Sequence, residues 1–172
     1  MADQYIGQTL ADKYRVDSVL REDGLGKIYR GTHLLMERAV ALKILPARLA
    51  LDDEIVRQFT AEVRTLSRLS HPNIPTVTDY GTDKNGTVFI VTEIGTGETL
   101  KNAVRREGAF SLEHANRIAQ QIASALSAAH ANGIVHRHLN SENVFLAKTA
   151  DGTDFVKVLD FGAVSLDDAS RA

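Results

Sequence analysis

From Tyr14 to Glu93 the chain alternates short β-branched and aromatic runs with turn signals, and one segment within that span carries helical spacing. Beyond Leu100 helical spacing dominates. This order implies an α+β chain: an antiparallel sheet with one helix, then a mainly helical region carrying a small hairpin, set as two lobes around a cleft. Tyr14–Leu20 and Lys27–His33 flank Asp23-Gly24-Leu25-Gly26 and are expected to pair as a hairpin. Ala39–Leu45 is a third strand, ended by Pro46. Ile55, Phe59, Val63 and Leu66 predict a helix over 52–69, capped by Asp52 or Asp53 and stopped before Pro72 and Pro75. Thr76–Tyr80 and Val88–Glu93 are expected to pair about Asn85-Gly86. A short helix, Leu100–Glu107, should close at Gly108. A longer one over 111–131 has Ser111 as its cap, Ile118, Ile122, Ala125, Leu126 and Ala129 on one face, and Gly133 at its end. Val144–Lys148 and Phe155–Leu159 read as two strands joined through Asp151-Gly152.

Composition removes several functions. A net charge of -2 gives no bulk electrostatic case for nucleic acid or an acidic membrane. There is no cysteine, which excludes disulfides, thiolate metal sites and cysteine nucleophiles and fits a cytoplasmic location. The stretch Met1 to Gln8 lacks the basic start and apolar run of a signal peptide. No apolar stretch approaches the ~20 residues that span a bilayer.

Four stretches carry chemistry. Lys43 sits in Val40-Ala41-Leu42-Lys43, and Glu62 in Phe59-Thr60-Ala61-Glu62. Taken singly they read as a solvated surface pair; a lysine removed from water would need such an anion. His136-Arg137-His138-Leu139-Asn140-Ser141-Glu142-Asn143 is followed by Asp160-Phe161-Gly162. Asp160 alone is a turn carboxylate before glycine, equally suited to Mg²⁺. The spacing His136-x-His138 also allows a two-histidine metal site, against which stands a plain packing role for His136.

In this order and spacing the stretches resemble the bacterial Hanks-type serine/threonine protein kinases from about Tyr5 to Leu166. The resemblance implies a two-lobed protein-kinase fold, with residues 5–94 as the first lobe and 95–172 as part of the second. It implies ATP and Mg²⁺ as ligands. Lys43 would contact the α and β phosphates and pair with Glu62, while Asn143 and Asp160 would hold the metal. Ile28 and Ala41 would roof the adenine and Phe145 would lie below it. Thr92 matches the gatekeeper position, and backbone groups of Glu93 and Gly95 would meet the adenine edge. Leu66, Val77, His136 and Phe161 match a stacked spine, which as plain core packing is the same statement.

The departures matter as much. Of the family's glycine-rich phosphate loop only the third glycine, Gly26, remains; Arg21 and Asp23 replace the first two, and Ile28 takes the valine position. Without those glycines, with only Gly24 nearby, backbone amides approach a phosphate less closely, so weaker nucleotide binding or a plain hairpin is expected. His138 occupies the position of the catalytic aspartate, and Asn140 that of a lysine facing the transferred phosphate. Histidine can serve as a base near neutral pH but supplies no anion. A neutral amide stabilises developing negative charge less well than an ammonium. Arg137, which in the family can pair with a phosphorylated loop residue, has no such loop before Ala172. The second lobe therefore reads as truncated, and one face of the 111–131 helix is expected to lie open. A longer chain, self-association or a protein partner would cover it. The leading expectation is a pseudokinase acting as a nucleotide- or partner-binding signalling module. The alternatives are an active kinase that phosphorylates protein hydroxyls with His138 as base, and a fragment without function.

Overall fold

The computed structural model describes residues 3–22, 27–45 and 48–161, except the side chain of Glu62. They fall into two units: residues up to Arg64 together with Val77–Ile94, and Thr65–Thr76 together with the residues from Gly95 onward.

The first unit is a six-stranded antiparallel sheet. Its strands are β1 (Thr9–Leu10), β2 (Tyr14–Glu22), β3 (Lys27–His33), β4 (Arg38–Leu45), β5 (Val77–Thr82) and β6 (Val88–Glu93), in the spatial order β1-β2-β3-β4-β6-β5. The helix α1 (Asp53–Arg68) lies between β4 and β5 in sequence. Asp52 caps it, accepting from the backbone N–H groups of Glu54 and Ile55.

Side chains alternate across a strand, so the sheet has two apolar faces. Tyr14, Val16, Tyr29, Val40, Leu42, Phe89 and Val91 build one core with Tyr5 and Leu10. Leu45, Val88 and Ile90 point the other way and pack on Phe59 and Val63 of α1. Tyr5 meets Tyr29 edge to face at 5.8 Å, and Asp3 accepts hydrogen bonds from Lys27 Nζ at 2.8 Å and Tyr29 Oη at 3.1 Å. The segment 3–12 is thus a strap over one face of the sheet. Its two-residue strand is too short to show a period, and sequence reading assigned it no structure.

The second unit contains β7 (Gly97–Thr99), α2 (Leu100–Glu107), α3 (Leu112–Ala131), β8 (Val144–Lys148) and β9 (Asp154–Val158), with the three strands in that order in one antiparallel sheet. Ser111 Oγ caps α3 by accepting from His114 N–H at 3.2 Å, and Gly133 follows its end at φ 72°. Ile118, Ala125 and Ala129 of α3 are buried in one core with Val144, Leu146, Val156, Val158 and Phe161. Ile122 and Leu126 are half-buried against the same core. The apolar stripe expected on one face of this helix is therefore turned onto the core it shares with β8 and β9. Among the described residues, no helix is long and apolar enough to cross a membrane.

Candidate functional site

Four of the expected site residues lie on one face of the first unit's sheet. Ile28 and Lys43 are direct cross-strand partners, as are Ala41 and Thr92. They alternate with Tyr29, Leu42 and Val91 of the opposite face, so all four lie on the side that α1 packs against. Ile28 is buried; Ala41 and Thr92 are half-buried. Lys43 is only 9% exposed. An ammonium so far out of water requires compensating polar groups. Glu62 falls on α1 between the core residues Phe59 and Val63, and its side chain lies outside the described residues. Glu93 ends β6 opposite Val40 and is exposed. Gly26, with Asp23 and Gly24, is outside the described residues.

The second unit holds the other candidates. His136 is buried at 3% exposure, its ring tilted at 57° against Phe161 with centroids 4.8 Å apart, and Nε2–H donates to Leu159 O at 2.7 Å. That bond fixes its tautomer. Burial lowers its pKa from the ordinary 6.5, opposed by the Leu159 carbonyl and Asp160, so the ring is held neutral. Its Nδ1 is buried with no hydrogen-bond partner among the described residues. His136 is thus the packing residue of the two readings.

The next residue turns the chain sharply. Arg137 has φ 64°, and His138 N–H donates back to His136 O at 2.8 Å, closing a three-residue turn. His138 and its neighbour Leu139 are exposed. Asn140 is engaged by the loop itself: Oδ1 accepts from Glu142 N–H at 2.8 Å and Asn143 N–H at 3.2 Å, while Nδ2 donates to His138 O at 3.1 Å. It is an Asx-type turn residue. Asn143 is buried, and its Nδ2 donates to the same His138 carbonyl at 2.8 Å. The loop therefore uses the nitrogen of that amide, the atom that cannot bind a metal, and orients the side chain by it.

Asn143 O accepts from Leu159 N–H at 2.8 Å, so the loop is fastened to the chain just before Asp160. Asp160 is half-buried at φ 60°. Aspartate tolerates this left-handed conformation better than most residues, but Arg137 does not. Neither backbone state is visible in residue type or spacing. Gly162 is outside the described residues. Phe145 is half-buried on β8 opposite Thr99 and Lys157, and Gly95 is exposed beside Ala147. Of the expected spine, Leu66 packs on the core that contains Phe161, and Val77 packs on the α1 core of the other unit.

Residues 14–170 match the family described as Protein kinase domain. The chain is 39% identical over 168 residues to serine/threonine-protein kinase pkn3 of Myxococcus xanthus, covering 98% of itself and 31% of that protein. It is 36% identical to PknA of Mycobacterium tuberculosis, covering 96% of itself and 38% of that kinase. Among solved structures, the PknI kinase domain of Mycobacterium tuberculosis superposes with a TM-score of 0.70 at 31% identity, over 96% of this chain and 64% of that one. The chain belongs to the protein kinase family, and its relatives are bacterial serine/threonine kinases of the Hanks type. It spans about a third of the length of the curated relatives it matches.

Proposed function

We propose that this chain is a nucleotide-binding protein-kinase domain with little or no phosphotransfer, a cytoplasmic pseudokinase module that signals by engaging a protein partner. The observation that carries this reading is the loop from His136 to Asn143. Its aspartate position is an exposed histidine, and the amide in its lysine position is engaged at both ends by the loop backbone. Neither group presents a fixed charge to a transferring phosphate. Lys43, Asn143 and Asp160 are retained. Lys43 is a buried cation suited to phosphate, and Asn143 and Asp160 offer hard oxygen atoms of the kind Mg²⁺ takes. Mg²⁺, when bound, would neutralise phosphate charge. The family's adenine positions, Ile28, Ala41 and Thr92, share one sheet face with Lys43.

A second reading, an active kinase that modifies protein hydroxyls, is favoured by the exposure of His138, whose ring is accessible as a general base. The two are separated by thermal unfolding with and without Mg-ATP, in the wild type and Lys43→Ala, followed by phosphotransfer assays of both and of His138→Asp. The module reading expects stabilisation of about 2.7 kcal/mol at a hundredfold excess over Kd, lost in Lys43→Ala, without transfer by the wild type. Transfer by the wild type that Lys43→Ala abolishes establishes the active kinase. A cooperative transition without any shift makes the chain a nucleotide-free scaffold. Absence of a cooperative transition makes it a fragment without function.

A further inference from the structure

β9 is the edge of the small sheet and leads straight into Asp160. An edge strand carries a row of outward backbone groups that need partners. Among the described residues no strand supplies them; two amide side chains and one backbone carbonyl do. Gln121 of α3 accepts from Val156 N–H at 2.9 Å and donates to Asp154 O at 3.3 Å. Asn73 Nδ2 donates to Val156 O at 2.8 Å and to Gln121 Oε1 at 3.0 Å, and Asn73 O accepts from Val158 N–H at 2.8 Å. Asn73 is itself buried and is held by its N–H to His71 Nδ1 at 3.1 Å. The glutamine amide thus does what a neighbouring peptide unit would do, one acceptor and one donor aimed at alternate residues of the strand.

The clamp lies two residues from the site. Val158 N–H is fixed by Asn73, and the next residue, Leu159, is gripped on both its groups by Asn143 and His136. Asp160 follows at φ 60°, a conformation with few neighbouring alternatives. We propose that Gln121 is a positioning residue for Asp160: it sets the register and height of β9 and through them the direction from which the Asp160 carboxylate is presented. The part concerning metal rests on the nucleotide-binding reading above; the part concerning backbone position does not.

An open polar recess of about 310 Å³, lined by Asn73, Arg117, Gln120, Gln121 and Ser124, adjoins the clamp. With the Gln121 amide removed, Val156 N–H loses its acceptor, and amide exchange reads the clamp directly. The experiment uses the 172-residue chain and two variants. Gln121→Met removes all three of its hydrogen bonds, to Val156 N–H, Asp154 O and Asn73 Nδ2, at similar side-chain length. Gln121→Glu keeps the acceptor for Val156 N–H and loses the donor to Asp154 O.

Without nucleotide, Val156 N–H is expected to exchange about 10-fold faster or more in Gln121→Met, while the β8 amides are unchanged and the Leu159 and Asp160 amide resonances shift. Gln121→Glu should shift the same resonances by less. ATP affinity is then measured with Mg²⁺ and with EDTA. Gln121→Met should weaken Mg-ATP binding by about 10-fold or more and leave metal-free binding unchanged, a split that general loss of stability does not produce. Unchanged Val156 exchange in both variants overturns the clamp. Faster exchange with unmoved Asp160 resonances, or with the Mg²⁺ gain intact, overturns the positioning role. If the wild type binds no nucleotide, the functional reading fails alone, and the Asp160 resonances decide this proposal.

Discussion

At Gly97 a Cβ would lie 2.0 Å from Leu146 O and 2.9 Å from Ala147 Cα, both backbone atoms of the paired strand β8. Neither can yield without breaking the sheet, so a side chain here must displace β7. Gly97→Ala is expected to cost about 3 kcal/mol or more in urea denaturation, in the range of strained or overpacked substitutions. A loss below about 1 kcal/mol would show that β7 shifts freely on β8. Sequence reading assigns this glycine no packing role. What it could not see is the distance of closest approach, a property of two strands far apart in sequence. Lys43 is the opposite case. Its place in the expected third strand, Ala39–Leu45, was legible, and the strand Arg38–Leu45, with Lys43 opposite Ile28, bears that placement out. The left-handed states of Arg137 and Asp160 were not legible, because neither residue type nor spacing signals them.

Elements with caps and turns of their own were read nearly to the residue. The expected helix over 52–69 is observed as Asp53–Arg68, and that over 111–131 as Leu112–Ala131. Strands with a companion turn, such as Val88–Glu93 beyond Asn85-Gly86, were equally plain. Two- and three-residue strands carry no period, so β1 and β7 went unread. In the loop from His136 to Asn143 the packing role open to His136 is the one the structure bears out, while the inward burial of Asn143 and the turn at Arg137 leave no mark in the sequence. The titration of His136 has a consequence for stability. Folding holds the ring neutral by burial, so its folded pKa lies below the ordinary value of 6.5. Between those two values the unfolded chain binds more protons than the folded one, and stability therefore rises with pH. The contribution is complete above about 6.5 and is lost as pH falls through that value toward the folded pKa. His136→Leu should remove this dependence, flattening denaturant-derived stability between about pH 7 and 5 by up to about 1.4 kcal/mol per pH unit relative to the wild type. Equal slopes in the two proteins would mean that His136 is charged in the fold or solvated there.

Over the whole molecule, each unit encloses its own apolar core, and the first is closed on one face by the strap 3–12 rather than by a helix. The strap contributes Tyr5 at 7% and Leu10 at 1% exposure to that core. It is tied down by Asp3 to β3 and by the bond from Ala11 N–H to Asp83 at 2.8 Å. Asp3 is held below the usual carboxylate range: burial alone would raise it, but hydrogen bonds from Lys27, the Tyr5 N–H and Tyr29 outweigh that. The strap is therefore a structural part of the first unit. All four tyrosines, Tyr5, Tyr14, Tyr29 and Tyr80, lie in that unit, and there is no tryptophan. Tyrosine fluorescence consequently reports the first unit, while α2 and α3 supply helical signal from the second. Leu10→Ala removes a fully buried side chain and should destabilise the first unit by about 2–5 kcal/mol. The tyrosine-detected denaturation midpoint should fall accordingly. If the helical signal at 222 nm falls with it, folding of the two units is coupled into one transition. If tyrosine moves and part of the helical signal does not, the cores unfold separately, and the second unit keeps the loop and Asp160 in place without the sheet. An unchanged tyrosine midpoint would show that the strap is dispensable to the sheet's core.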